Sequence, residues 1–150
     1  MSQYVEIGHK SFPISSGIGK FLRVKPTSTL GADGTPVVTL AGVTDVHIGV
    51  TTRDAFVSTA PQGNTINGTV DVRLASAQGT TRMVAAGAIP LNASSATPVY
   101  SAASGMISAS QASGALLVGY ALEAATAPEP EREQEAVPEK PVSRGGRGSR

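Results

Sequence analysis

Hydrophobic and polar residues alternate with a period of two over much of this 150-residue chain, and that period predicts strands. Val46, Ile48 and Val50 alternate with His47, Gly49 and Thr51, and Val70, Val72 and Leu74 alternate with Asp71 and Arg73. Each set puts apolar side chains on one sheet face and polar ones on the other. Phe21–Lys25 reads as a strand ended by Pro26, and Pro36–Leu40 as its neighbour across the turn-like Gly31-Ala32-Asp33-Gly34, where the Asp-Gly pair suits a hairpin. Thr81–Ala85, Val99–Ser101, Met106–Ser108 and Leu116–Leu122 supply further short strands. Turn signals recur about every ten residues, at Gly63-Asn64, Asn67-Gly68, Gly79, Ser104-Gly105 and Ser113-Gly114. No segment of this zone carries a 3.6-residue period. The expectation is an all-β domain, a compact antiparallel β-sandwich or barrel of jelly-roll type.

The pattern also divides the chain. Residues 1–19 lack periodicity, and Pro13-Ile14-Ser15-Ser16-Gly17-Ile18-Gly19 reads as an extended N-terminal arm. Residues 20–127 hold nearly all of the β signal. Residues 128–150 form a tail broken by Pro128, Pro130, Pro138 and Pro141. Within the β zone there is an echo. Thr35-Pro36-Val37-Val38 matches Thr97-Pro98-Val99-Tyr100, and Ile48-Gly49-Val50 with Ala55 matches Val118-Gly119-Tyr120 with Ala125. Two related β units would produce it, and so would chance recurrence in a sequence rich in Gly, Ala and Val.

Composition narrows the chemistry. The 17 glycines and 10 prolines exceed ordinary usage, and with three Phe, three Tyr and no Trp the core must be thin. A net charge of +1 argues against nucleic acid as a partner. Without cysteine there is neither a disulfide framework nor a thiolate metal site. Met1–Glu6 has no basic or apolar stretch of secretory type, and no apolar run approaches the roughly 18 residues that cross a bilayer. A soluble protein made in the cytoplasm, with no membrane partner, is expected.

Candidate sites are sparse. Between Arg82 and Glu123 there is no Asp, Glu, His, Lys or Arg. Of the two histidines, His9 has no companion, whereas His47 lies two residues from Asp45, on the same face of the expected strand. That pair could serve catalysis or a metal, but a solvent-facing His on an alternating strand is the plainer reading. Ser16-Gly17-Ile18-Gly19-Lys20 has Ile14 where a phosphate loop needs Gly and Phe21 where it needs Ser or Thr. Asn67-Gly68-Thr69 and Asn92-Ala93-Ser94 read as turn chemistry. No catalytic, metal or cofactor site is expected, and the protein is not expected to be an enzyme. In the tail an acidic half (Glu129, Glu131, Glu133, Glu135, Glu139) precedes a basic end with Arg144, Arg147 and Arg150. Those three arginines are the candidate contacts of an arm that pairs with a charged neighbour.

The stretch "AAGAIPLN…TPVY…SGMIS…GALLVGYALEAATA", within residues 85–127, resembles the small decoration (cement, or capsid-fibre) proteins of tailed-phage heads, and the resemblance extends over roughly residues 30–127. It implies a structural virion protein on the outer capsid surface, assembled in the host cytoplasm, that clamps copies of the major capsid protein and carries no catalytic residues. Short exposed sheet edges invite covering by matched copies, so a homo-oligomer, trimer or dimer, is expected. The alternative is a head-fibre or adhesin-type module that recognises a glycan or a cell surface. Six Phe and Tyr spread along the chain offer little of the aromatic platform that sugars want.

Overall fold

The structure is a computed structural model that describes residues 8–59, 65–66, 68–77 and 79–126. Among them lie ten strands: β1 (His9–Pro13), β2 (Arg23–Leu30), β3 (Pro36–Leu40), β4 (Gly49–Thr51), β5 (Ser58–Thr59), β6 (Thr65–Ile66), β7 (Thr69–Leu74), β8 (Thr97–Ser101), β9 (Ile107–Ser108) and β10 (Leu117–Ala121). They make an antiparallel five-stranded sheet in the order β1-β7-β4-β2-β3, a three-stranded one in the order β10-β8-β9, and the small ribbon β5-β6. A single 3-10 turn at Ala103–Gly105 is the one helical element among the described residues. The chain is all-β and antiparallel, as its alternation predicts.

The first sheet turns back on itself. β1 pairs with β7 at one end, with Phe12 opposite Val70. The residue after β1, Ile14, then forms a parallel bridge to Val38 in β3, the strand at the other end. Residues 9–18 are therefore not an extended arm. Phe12, Ile14 and Ile18 are buried in the first core with Val24, Val38, Ala55, Val70 and Val72. Phe12 and Ile14 are two residues apart, as on one face of a strand, but exposed Ser16 breaks the alternation before Ile18.

Two other strands depart from expectation. β2 continues through Pro26 to Leu30. Its pairing with β4 involves only Arg23 and Val24, so at Pro26 that side of β2 carries no ladder and the missing N–H breaks no bond there. The hairpin to β3 forms at Asp33-Gly34 as expected, with Gly34 at φ +79° and Asp33 accepting from the Thr35 N–H at 3.0 Å. β4 is shorter than its alternation suggests. Val46 is 76% exposed, while Gly49, Val50 and Thr51 are all buried because β4 is the middle strand of five. β7 keeps the alternation, with Val70 and Val72 buried and Thr69 exposed.

The echo in the sequence has a structural basis, though only half of it aligns. In the first unit the order is β4-β2-β3, with Ile14 bridging to β3 and Ile18 to Ala55. In the second it is β10-β8-β9, with Ala85 bridging parallel to Ile107 in β9 and Ile89 antiparallel to Ala125. Val24 faces Gly49, and Val99 faces Gly119. Thus β4 corresponds to β10, as the apolar-Gly-apolar match implies, and β8 corresponds to β2. The Thr-Pro-Val match to β3 is not an equivalence. Each unit has its own core, the second one Ile89, Val99 and Ile107 with Met83, Ala85, Val118 and Ala125 against them.

Among the described residues the second unit has no counterpart of β7. Residues 80–84 occupy the chain position of β1, and Thr81–Ala85, expected as a strand, contributes only the bridge at Ala85. The physical reason is the missing neighbour, since β1 is a strand only by pairing with β7. The glycine at the heart of β4 records how closely that strand approaches. A Cβ on Gly49 would collide with the carbonyl oxygen of Arg73 and come within 2.6 Å of Val72 Cγ1. Gly49→Ala is therefore expected to lower stability by about 1–3 kcal/mol through overpacking. Chemical denaturation of both proteins measures it, and an unchanged midpoint would refute the close approach.

Candidate interaction surface

Most charged side chains in the described residues that meet a partner are held in structural pairs. Lys25 Nζ lies 2.7 Å from Asp45 Oδ2, which also accepts the Gly42 N–H at 2.7 Å. The Lys25 hydrogen bond is the main cause that holds Asp45 below the usual carboxylate range, followed by the Gly42 N–H. Asp71 takes the Arg53 Nε at 2.9 Å and the Ser11 hydroxyl at 2.5 Å, and Asp54 accepts the Lys20 N–H at 2.8 Å. Among the described residues no cluster of three metal-ligating side chains occurs. No helix of the described residues is long and apolar enough to cross a membrane.

His47 is half-buried rather than solvent-facing, since the chain from Val43 to Ile48 is a loop and not the strand that alternation suggests. Burial lowers its pKa, and the charge of Arg23 lowers it further. Asp45, the proposed companion, is committed to Lys25 and Gly42.

The least expected residue is Arg23. It opens β2 and is fully buried. Its Nε donates to the Met106 carbonyl at 3.1 Å, and one Nη donates to the carbonyls of Ala102 at 2.8 Å and Gly42 at 3.3 Å. Ala102 and Met106 flank the 3-10 turn of the second unit, so one guanidinium ties the two units together. The turn fits because Gly105, at φ +76°, has no Cβ to strike the Arg23 backbone, and its N–H reaches the Ala41 carbonyl at 2.8 Å. Nearby, the Ser101 hydroxyl donates to the Val43 carbonyl and accepts the Leu116 N–H. Burial depresses the pKa of Arg23 and Asp45 opposes that. Nothing in the local sequence marked this role, because the partners lie 79 and 83 residues away.

Large hydrophobic side chains are also exposed, Leu30, Val46 and Phe56 on the first unit and a larger group on the second. Leu91 (50% exposed), Leu116, Leu117 (54%), Tyr120 (58%) and Leu122 (70%) stand open on and around β10. Leu91 and Leu122 line one open depression with Asn92, Ser95, Thr97 and Ala121. Arg144, Arg147 and Arg150 lie outside the described residues, as do residues 1–7. Comparison with known proteins adds no relative: no family model, no curated protein and no solved structure matches the chain.

Two measurements test this reading. Arg23→Ala leaves three carbonyls of the junction without their donor, so a stability loss of about 3 kcal/mol or more is expected. Arg23→Lys should recover only a minor part of it, because a point ammonium cannot reproduce the guanidinium fork. Equal stability of wild type and Arg23→Ala would remove the junction from the account. For His47 the sign follows from its lowered pKa: its contribution is present above its ordinary 6.5 and is lost as pH falls through the lowered folded value. Melting temperature should therefore fall from about pH 7 to about pH 5.5, and His47→Gln should flatten that slope. Identical slopes would contradict the burial of His47.

Proposed function

We propose that this chain is a structural virion protein, a decoration or cement subunit that binds the major capsid protein on the outside of a phage head. The observation that carries the proposal is the contrast between engaged charges and open apolar side chains. Asp45, Asp54 and Asp71 are spent on internal pairing, whereas Leu91, Leu117, Tyr120 and Leu122 face outward on one unit. Such a body offers a surface rather than a reaction. The segments that resemble head-decoration proteins, Ala85–Asn92, Thr97–Tyr100, Ser104–Ser108 and Gly114–Ala127, supply the strands of the second sheet and the chain around them.

Physically, a subunit that straddles capsid proteins binds only the assembled lattice and stabilises it by mass action. The cement reading places the protein on the virion, assembled in the host cytoplasm, as a homo-oligomer matched to lattice axes. The tail adds charge pairing with capsid neighbours through Arg144, Arg147 and Arg150.

The test is co-sedimentation with purified heads across a salt series. Stoichiometric occupancy of the lattice is expected. Deleting residues 128–150 should spare the β domain and lower occupancy at about 20 mM salt, with the difference fading by about 0.5 M as ion pairing is screened. Absence of the full chain from heads at every salt concentration would overturn the reading, and glycan-array binding in its place would favour the adhesin alternative.

A further inference from the structure

Among the described residues the second unit repeats β2, β3 and β4 of the first but has no strand in the place of β7. In the first, β7 lies between β4 and β1 and pairs with both. In the second, β10 stands for β4 and residues 80–84 stand for β1, yet no described strand lies between them. From this duplication we infer that the outer edge of β10 is a docking site for a single extended strand supplied by a polypeptide of different sequence. The strand it fits runs antiparallel to β10 and is apolar at every second position, as Val70 and Val72 are in β7.

Three observations support the vacancy independently of the strand count. Tyr120 is 58% exposed, whereas its counterpart Val50, on a strand paired with β7, is 3% exposed. At Gly119 an added Cβ would meet nothing within 4 Å, whereas at its counterpart Gly49 it would strike β7 itself. The room that a strand in the place of β7 needs is thus present beside β10 and unused. Moreover, Leu116–Leu122 contains neither a charge nor a proline, so that the register shift between Leu117 and Gly119 is the one edge guard it carries, while the edge strand β1 carries His9, Lys10 and Pro13.

The chain's own tail does not have the right chemistry. β7 begins 14 residues after Ala55, and the same offset from Ala125 reaches Glu139-Lys140-Pro141-Val142-Ser143-Arg144, which has one apolar side chain other than proline and no alternation. β-augmentation by a strand from outside takes most of its affinity from main-chain hydrogen bonds and its specificity from alternate side chains. The inference rests on the fold and not on the cement reading. If that reading holds, the donor is a capsid segment.

The test supplies the strand. The full chain is extended beyond Arg150 by a flexible Gly/Ser linker that ends in Thr-Val-Asp-Val-Arg-Leu, the sequence of β7. The control ends in Thr-Asp-Asp-Asp-Arg-Leu. Tethering raises the effective concentration of the strand to the millimolar range. A rise in melting temperature of about 4 °C or more over the control is expected, with new hydrogen-exchange protection at β10. Leu117→Lys with Tyr120→Lys should abolish the rise, and circular dichroism checks that this variant is folded. No rise over the control overturns the inference. It is also overturned if the unextended chain self-associates in a manner that Leu117→Lys with Tyr120→Lys abolishes, since the occupant is then a second copy. Loss of β10 protection on deleting residues 128–150 overturns it as well, in favour of the tail. The extended protein needs no heads, so this outcome and head occupancy fail separately.

Discussion

The fold depends on a buried guanidinium that joins two small β units. Neither unit has a large core, with eight buried residues in the first cluster and three in the second. The second is too slight to stand on apolar burial alone, since three aliphatic side chains offer only about 1.5–3 kcal/mol each. Arg23 fixes it to the first by donating to Ala102, Met106 and Gly42, and Gly105 and Ser101 add backbone bonds around that point. Burying a charge is unfavourable unless hydrogen bonds offset it, and here three carbonyls take Nε and one Nη, Asp45 lies nearby, and the other Nη is buried without a partner.

Given that junction, the proposed docking surface follows from a duplication that is incomplete among the described residues. The first unit spends a strand, β7, on covering β4 and closing the sheet through β1 and Ile14. The second keeps the same three-strand order but ends its described chain one residue past Ala125. Its outer strand is left with Leu117 and Tyr120 in solvent. An open edge is a hazard in a free protein and a resource in an assembly protein. Docking on a lattice would turn that hazard into attachment.

Much of the first sheet was legible in the sequence. Pro36–Leu40 and the Asp33-Gly34 turn stand where local propensity puts them, and the alternation at Val70–Leu74 gives both the strand and its buried face. Where reading failed, a tertiary cause is visible. The segment around Ile14 and Ile18 is core although its alternation breaks at Ser16, because it crosses from one sheet end to the other. Thr81–Ala85 has strand composition, but among the described residues its one bridge is to Ile107 of β9 and no counterpart of β7 pairs with it. His47 and Asp45 were placed together by an alternation that the loop Val43–Ile48 does not obey. Arg23 sat in an ordinary Leu-Arg-Val-Lys pattern, and its burial depends on a turn some eighty residues later. The apolar-Gly-apolar match between β4 and β10 was the most informative local signal, and the Thr-Pro-Val match beside it was not structural.

Residue-resolved hydrogen exchange on the intact chain tests most directly whether Arg23 makes one cooperative body of the two units. Ile18, Ala41 and Thr51 report on the first unit through their N–H bonds to Ala55, Arg23 and Leu22, and Ile89, Ser101 and Ile107 report on the second through bonds to Ala125, Leu116 and Val84. A protein joined through Arg23 opens as a whole, so the most protected amides of both sets should exchange with one common free energy. If Ile89, Ser101 and Ile107 exchange through a separate opening of much lower free energy, the junction is not what holds the second unit in place.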